Sequence, residues 1–163
     1  MVDTNSKILD RAALCREVNR HRENGDTIVL ANGCFDLFHV GHIRYLAGAK
    51  ELGETLVVAI NSDLQVRELK GNGRPFMPEN ERAEIVAALQ CVDLVTIFEE
   101  PTVTETILAI RPDIHTKGTD YTVDTVPERE IVRSIGGRVA IVGDPKDHSS
   151  SEMIHKTRRA SGE

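Results

Sequence analysis

The sequence predicts a doubly wound α/β domain, in which a mainly parallel sheet of five strands is covered by helices on both faces. Two patterns indicate this fold. Short apolar runs alternate with segments of helical spacing, and three of those segments open with proline, which is favoured in the first turn of a helix. The length of 163 residues, with 40% hydrophobic and 28% charged residues, fits one domain with its own core. We therefore expect residues 1–163 to form a single domain.

The first predicted element is a helix. Apolar residues recur at helical spacing over residues 8–23, and Asn24-Gly25 is a suitable stop. We expect residues 1–25 to form this N-terminal helix, residues 26–158 to form the main core, and residues 159–163 to be a loose tail.

Strands and helices alternate through the rest of the chain. Strand-length apolar runs occupy residues 27–31, 55–60, 92–98, 113–116 and 138–142. Helical spacing is found at about residues 41–52, 78–90, 101–110 and 127–135. In sheets of this kind ligands bind beyond the carboxyl ends of the strands, so functional residues are expected in the loops that follow them.

Charge and cysteine content exclude several classes of protein. A net charge of −6 argues against a nucleic-acid binder, which needs a basic surface for phosphates. Cys15, Cys34 and Cys91 lie far apart without metal-site spacing, so neither a disulfide framework nor a zinc site is expected. We find neither a signal-peptide pattern nor an apolar run near the ~20 residues that span a bilayer, and we expect a cytoplasmic protein without a membrane partner.

The loop after the first strand carries the strongest functional pattern. Residues 32–42 read N-G-C-F-D-L-F-H-V-G-H and lead into a helix. His39 and His42 are three residues apart, so both rings can share one face of the helix start beside free backbone N–H groups. Gly33 permits a tight turn, and Gly41 removes a side chain where a phosphate could approach. These residues predict an anion site with two imidazole donors.

This motif resembles the signature of the cytidylyltransferase-like nucleotidylyltransferases. The resemblance covers residues 27–156, and the loops at residues 59–63, 69–75, 117–121 and 149–151 are similar to those of heptose 1-phosphate adenylyltransferases. The family more often has glycine where Thr119 stands. The resemblance implies a Rossmann-like fold and transfer of AMP from ATP to D-glycero-β-D-manno-heptose 1-phosphate. The product would be ADP-heptose, a precursor of the lipopolysaccharide core, and the reaction would use Mg²⁺.

The motif and the resemblance together indicate three groups of site residues. The predicted catalytic residues are His39, His42 and Lys70. The predicted nucleotide and phosphate ligands are Asn32, Gly33, Cys34, Phe35, Gly41, Arg74, Lys117, Ser149, Ser150 and Ser151, although packing is the favoured role for Cys34. The predicted substrate-linked or metal-linked residues are Asp36, Asn61, Asp63, Arg82, Gly118, Asp120 and Tyr121. No cluster of metal ligands is predicted, so Mg²⁺ is expected to bind through phosphates with help from Asp36 or Asp120.

Several assignments remain open at this level. The separate roles of Lys117 and Asp120 are unresolved, as is the role of His148, while His115 is expected to pack in or near the core. A separate heptose kinase is expected to supply the acceptor, and a homodimer is compatible with the sequence. ATP is expected to be preferred over CTP, because residues 144–149 read D-P-K-D-H-S where related cytidylyltransferases typically have R-T-E-G-I-S. The alternatives are another transferase, such as glycerol-3-phosphate cytidylyltransferase, and a nucleotide-binding regulator without activity.

Overall fold

The structure is a computed structural model that describes residues 3–145 and 149–160. Its strands are β1 (Ile28–Gly33), β2 (Thr55–Asn61), β3 (Leu94–Phe98), β4 (Ile114–Lys117) and β5 (Arg138–Ile141). Its α-helices are α1 (Arg11–Glu23), α2 (Val40–Lys50), α3 (Asp63–Lys70), α4 (Glu79–Ala87), α5 (Thr104–Ile110), α6 (Arg129–Ser134) and α7 (Ser150–Ala160). A short 3₁₀ turn, Asn5–Lys7, precedes α1.

The strands form one parallel sheet in the order β3-β2-β1-β4-β5. Strand β1 is central, and Leu30 lies opposite Val57 of β2 on one side and His115 of β4 on the other. The chain moves outward from β1 to β3 and then returns to place β4 on the other side of β1. The strand order therefore reverses between β1 and β4, which is where such sheets bind ligands.

Alternating residues of the strands build a separate apolar core on each face of the sheet. On one face, Val29 and Ala31 of β1 belong to a cluster that includes buried residues of α2 and α4. On the other face, Ile28 and Leu30 belong to a cluster that includes buried residues of α1, α5 and α6. Helices thus cover both faces, and the predicted doubly wound, Rossmann-like fold is confirmed.

Several element boundaries differ from the prediction. Helix α3 was missed, because its eight residues are mostly polar and only Gln65 and Val66 are buried. Lys70 is consequently the last residue of a helix rather than part of a loop, and Gly71 ends that helix with φ 90°. Strand β1 continues two residues further than predicted, to Gly33. Helices α5 and α6 begin at Thr104 and Arg129, a few residues after the prolines that were expected to open them.

The C-terminal end also differs. Helix α7 continues to Ala160, so the first two residues of the predicted tail, 159 and 160, are helical. His148 and residues 161–163 lie outside the described part of the chain. Cys15, Cys34 and Cys91 are free thiols, as expected. No helix in the described ranges is long and apolar enough to cross a membrane.

Candidate active site

A cavity of about 630 Å³ lies at the carboxyl edge of the sheet. All five strands contribute to it: Gly33, Asn61, Phe98 and Lys117 end β1 to β4, and Val142 directly follows β5. Most of the predicted site residues line this cavity. They are Asn32, Gly33, Cys34, Phe35, His39, Gly41, His42, Asn61, Lys70, Lys117, Gly118, Asp120, Tyr121, Ser149, Ser150 and Ser151. The predicted residues outside its wall are Asp36, Asp63, Arg74 and Arg82.

His39 and His42 form a reciprocal cap at the start of α2. The Gly41 N–H donates to His39 Nδ1 at 3.1 Å, and the His39 N–H donates to His42 Nδ1 at 3.3 Å. The two rings stack with centroids 3.9 Å apart and planes inclined by 26°. A neutral imidazole that accepts at Nδ1 carries its proton on Nε2, so these two hydrogen bonds fix the same tautomer in both rings.

Aromatic neighbours fix the His42 ring. Phe38 stacks on it at a centroid distance of 5.1 Å, and Phe35 meets it edge-on at 5.3 Å. A Cβ at Gly33 would lie 3.2 Å from the Phe35 ring, so glycine gives Phe35 room to fold against the end of β1. Burial, followed by the charges of His39 and Lys70, lowers the pKa of His42 to about 3. His42 is therefore a neutral hydrogen-bond donor at physiological pH.

The structure corrects the assignment of Asp36. This residue is 1% exposed, and its carboxylate accepts from Arg74 Nε at 2.8 Å and from the backbone N–H groups of Phe76 and Met77 at 3.0 and 3.1 Å. Burial raises the pKa of Asp36, but these hydrogen bonds outweigh it and hold the pKa below its usual value. Because its acceptor positions are filled, Asp36 anchors the segment after α3 instead of binding a metal or orienting a histidine.

Arg74 and Asp36 are consequently partners of each other. The Arg74 guanidinium pairs with Asp36 and lies over the Phe76 ring at 4.9 Å. Arg74 is thus engaged with a carboxylate whose side chain is 0% exposed and lies outside the cavity wall, and its predicted phosphate contact stays a prediction. Of the two basic residues predicted for this segment, only Lys70 lines the cavity.

Arg82 is also a scaffold residue rather than a substrate ligand. It is 0% exposed and donates to the carbonyls of Cys34 at 2.6 Å, Asn61 at 2.8 Å and Met77 at 3.0 Å. Its Nη2 atom pairs with the Asp63 carboxylate at 2.7 Å. One side chain therefore joins the ends of β1 and β2 to the start of α4. The sequence pattern placed Arg82 and Asp63 near the site but could not show that they form an ion pair with each other.

Lys117 is held at the switch point between β1 and β4. Its Nζ donates to Asn32 Oδ1 at 3.0 Å, lies 3.7 Å from Glu128 Oε2 and sits 5.4 Å from the Tyr121 ring centroid. Burial lowers the pKa of Lys117, while Glu128 opposes that shift. His115 is 0% exposed, as expected from its position in a strand.

The serine run begins α7, and its members differ in role. Ser149 Oγ accepts from the Glu152 N–H at 3.1 Å and so caps the start of α7. Ser150 is buried, and its hydroxyl donates to the Asp36 carbonyl at 2.8 Å, so it ties α7 to the loop after β1. The hydroxyl hydrogen of Ser150 is therefore used within the fold, and the predicted phosphate contact of this residue stays a prediction. Ser149 and Ser151 remain on the cavity wall.

Comparisons with known proteins agree with this geometry. A family model described as cytidylyltransferase-like matches residues 30–159. The chain belongs to this cytidylyltransferase-like family. It is 47% identical over 154 residues to a bifunctional protein HldE of Pelobacter propionicus, covering 94% of this chain and 32% of the relative. It is 50% identical over 151 residues to a bifunctional protein HldE of Koribacter versatilis, covering 93% of this chain and 31% of the relative.

The chain spans about a third of the length of the curated proteins it matches. A solved structure, the lipopolysaccharide core biosynthesis protein from Thermoplasma volcanium GSS1, superposes with a TM-score of 0.66 at 30% identity. That match covers 75% of this chain and 100% of the solved chain. The family and the α/β fold predicted from the sequence are both confirmed.

Within this cytidylyltransferase-like domain, the sequence analysis missed several cavity residues. Tyr45 lies one turn after His42 and donates to the Thr116 carbonyl at 2.9 Å, and burial raises its pKa to about 12. Glu128 is the residue directly before α6 and lies on the cavity wall, and its side chain makes no cap hydrogen bond to that helix. The proline before Glu128 predicted a helix start there, but nothing in the pattern showed that this helix would begin at the site.

The site's metal-binding capacity is limited. Among the described residues there is no group of three or more histidine, cysteine or acidic side chains placed to hold a metal ion. Asp36 is fully engaged, and Asp144 forms an ion pair with Arg44 at 2.5 Å. Asp120 lines the cavity. A magnesium ion here would need phosphate oxygens of the substrate as most of its ligands.

Proposed function

We propose that this domain transfers AMP from ATP to a sugar 1-phosphate, D-glycero-β-D-manno-heptose 1-phosphate, and releases pyrophosphate. The observation that carries the proposal is the His39–His42 pair. Both Nδ1 atoms are tied to backbone N–H groups at a helix start, and both rings line the cavity that Lys70 and Lys117 also line. Fixed imidazole donors beside the positive charges of two lysines can stabilise the negative charge that develops on a phosphoryl group.

The reaction needs no general base. A phosphate oxygen of the acceptor, already anionic at neutral pH, attacks the α-phosphorus of ATP. A new P–O bond forms, the bond from the α-phosphorus to the bridging oxygen breaks, and pyrophosphate leaves with that electron pair. Catalysis therefore consists of positioning and charge stabilisation, which are the properties of this cavity.

Each group has an assigned part in that reaction. The Nε2–H groups of His39 and His42 donate to the α-phosphate oxygens, and Lys70 balances the leaving pyrophosphate. Ser149, Ser151 and the start of α7 hold phosphate oxygens. Lys117 meets the phosphate of the acceptor. Magnesium, held by the triphosphate and Asp120, would neutralise phosphate charge.

The substrate assignment is supported by the relatives. The curated matches are named bifunctional protein HldE, and the solved neighbour is described as a lipopolysaccharide core biosynthesis protein. An ADP-heptose product fits both names. A sugar kinase would supply the acceptor from a separate reaction. We place the enzyme in the cytoplasm, where ATP is available, and include a homodimer in the proposal.

The test is a pyrophosphate-release assay with ATP or CTP as donor and heptose 1-phosphate or glycerol 3-phosphate as acceptor. We expect the highest kcat/KM with ATP and heptose 1-phosphate, and loss of activity in excess chelator. The preference for ATP is expected to be modest, about 10- to 100-fold, because base discrimination rests on few contacts. A CTP value equal to or above that for ATP would overturn the assignment and favour a cytidylyltransferase. Nucleotide binding without any pyrophosphate release would favour the inactive regulator.

A further inference from the structure

The residues that line the cavity fall into two groups, one from each face of the sheet, which we call the α2 lobe and the α6 lobe. The α2 lobe contains His39, His42 and residues 142–145, and α2 packs directly on this segment, since a Cβ at Gly48 would lie 3.4 Å from Val142. The α6 lobe contains Phe98, residues 101–103 and Glu128. Phe98 and Val103 belong to the apolar cluster under α5 and α6, which is on the other face. The two lobes meet at Lys117 and Asn32.

Glu128 places a nearly buried carboxylate in the α6 lobe. Its side chain is only 8% exposed, and its Oε2 atom is fully buried with no hydrogen-bond partner among the described residues. The nearest donors are His115 Nε2 and Lys117 Nζ, each at 3.7 Å, which is beyond hydrogen-bond distance. Both ring nitrogens of His115 also lack a partner in the described part of the chain. Oε2 faces His115 and Lys117 and is closed to solvent, so the acceptor that Glu128 offers to the cavity is its other oxygen, Oε1, which has no hydrogen-bond partner among the described residues.

The carboxylate is ionised in this environment. Burial raises the pKa of Glu128, but His115 and Lys117 outweigh it and hold the pKa below its usual value. An ionised carboxylate accepts hydrogen bonds and donates none, with about four acceptor positions on its two oxygens. A hydroxyl group is the neutral donor that fits, because a second anion would be repelled.

Apart from Glu128 and Thr102, the α6 lobe is apolar. Phe98, Pro101, Val103 and Pro127 line it around Glu128. A sugar ring presents C–H groups on its faces and hydroxyl groups at its edge, so it matches an apolar wall that carries one carboxylate. The α2 lobe already holds the phosphate donors of the proposed reaction, which leaves the α6 lobe for the acceptor.

We infer that Glu128 is a specificity-determining residue that accepts a hydrogen bond from a ring hydroxyl of the sugar-phosphate acceptor bound in the α6 lobe. This inference rests on the proposed function and adds the recognition of the acceptor to it. Lys117, at the junction of the lobes, places the acceptor phosphate toward the histidines. Glu128 thereby selects polyhydroxylated acceptors over phosphates that lack a ring hydroxyl at that position.

The test compares wild type with Glu128→Gln, using heptose 1-phosphate and its 2-, 3- and 4-deoxy analogues as acceptors. We expect wild type to lose about 10- to 100-fold in kcat/KM with at least one deoxy analogue, which is typical of a lost hydrogen bond to a charged group. Glu128→Gln should lose a similar factor with the full acceptor while the KM for ATP stays unchanged. In that variant the same deoxy analogue should show little further loss, because the partner of the missing hydroxyl is already altered.

Two controls separate recognition from folding. Glu130→Gln changes a carboxylate whose side chain is 81% exposed on the same helix, and it should behave as wild type. Glu128→Asp keeps the negative charge but moves the carboxylate back by one methylene group. This variant should show an intermediate loss in kcat/KM with the full acceptor. ATP binding by calorimetry confirms that each variant is folded.

Three outcomes would overturn the inference. The first is equal deoxy penalties in wild type and Glu128→Gln, and the second is no penalty for any deoxy analogue in wild type. The third is a change in discrimination against 2′-deoxy-ATP or 3′-deoxy-ATP instead, which would assign Glu128 to the ribose of the nucleotide. A wild-type enzyme that binds ATP but is inactive with every sugar phosphate would overturn the proposed function itself, and this inference with it.

Discussion

At the scale of single residues, the two histidines of the motif do different work. His39 is the N-cap of α2 and binds the Gly41 N–H through its ring, whereas His42 sits between the rings of Phe38 and His39. In both rings Nδ1 accepts a hydrogen bond from a backbone N–H group. Their orientation is therefore set before a nucleotide binds, and the donors cost little reorganisation when charge develops on the phosphate.

We expect His42→Ala to lower kcat by about 100-fold or more with little change in ATP affinity, because it removes a donor that acts in the transition state. His39→Ala should lower kcat similarly and also reduce the free energy of unfolding by about 1 kcal/mol, since it removes a helix cap. The measurements are steady-state kinetics and urea unfolding. His155→Ala, an exposed position on α7, is the matched control. Near-wild-type rates in both His39 and His42 variants would contradict the mechanism.

At the scale of the elements, strands and loops are held together by buried polar side chains. Arg82 makes four hydrogen bonds, to the carbonyls of Cys34, Asn61 and Met77 and to the Asp63 carboxylate. Asp36 ties the loop after β1 to the segment after α3. These contacts fix the relative positions of Lys70 and the histidines, although neither Arg82 nor Asp36 lines the cavity.

Arg82→Met is expected to destabilise the domain by about 3 kcal/mol, because it leaves three carbonyls and the partly exposed Asp63 carboxylate without their donor. Arg67→Met, at an exposed position on α3, should change stability by less than about 0.5 kcal/mol. Chemical denaturation of both variants measures the difference. Equal stability of the two variants would show that Arg82 is dispensable to the scaffold.

The elements also show what the sequence could and could not predict. The order of strands and helices and the position of the histidine motif followed from apolar runs and local spacing, because these depend on neighbours in the chain. Helix α3 was missed because only one face of its short, polar sequence is buried. The pairing of Asp36 with Arg74 joins residues 38 positions apart, so composition placed both near phosphates while only the fold shows that they bind each other.

At the scale of the whole molecule, burial of histidines couples stability to pH. His42 has a folded pKa of about 3 against an ordinary value of 6.5, and burial also lowers the pKa of His115. Above pH 6.5 neither the folded nor the unfolded state is protonated at His42. As the pH falls below 6.5 the unfolded state binds a proton that the folded state refuses, so stability decreases.

We expect the free energy of unfolding to fall between pH 6.5 and pH 5 by up to about 1.4 kcal/mol per pH unit for each such histidine. In His42→Asn the free energy of unfolding should fall less steeply with decreasing pH, because the contribution of one buried histidine is lost. Urea unfolding at a series of pH values measures it, and the range above pH 5 avoids most carboxylate titration. An identical slope in wild type and His42→Asn would show that His42 is not responsible.

The division of the cavity into two lobes has a consequence for how such a domain can diversify. The phosphate centre is built on α2 and α7, while the α6 lobe is built largely from residues 101–103 and 127–128. These few positions precede short helices and lie apart from the buried Asp36 and Arg82 contacts. Exchange of these residues can therefore change the acceptor without rebuilding the reaction centre. One scaffold can in this way act on many phosphorylated acceptors, because the residues that select the acceptor lie in loops that can change while the phosphate site is kept.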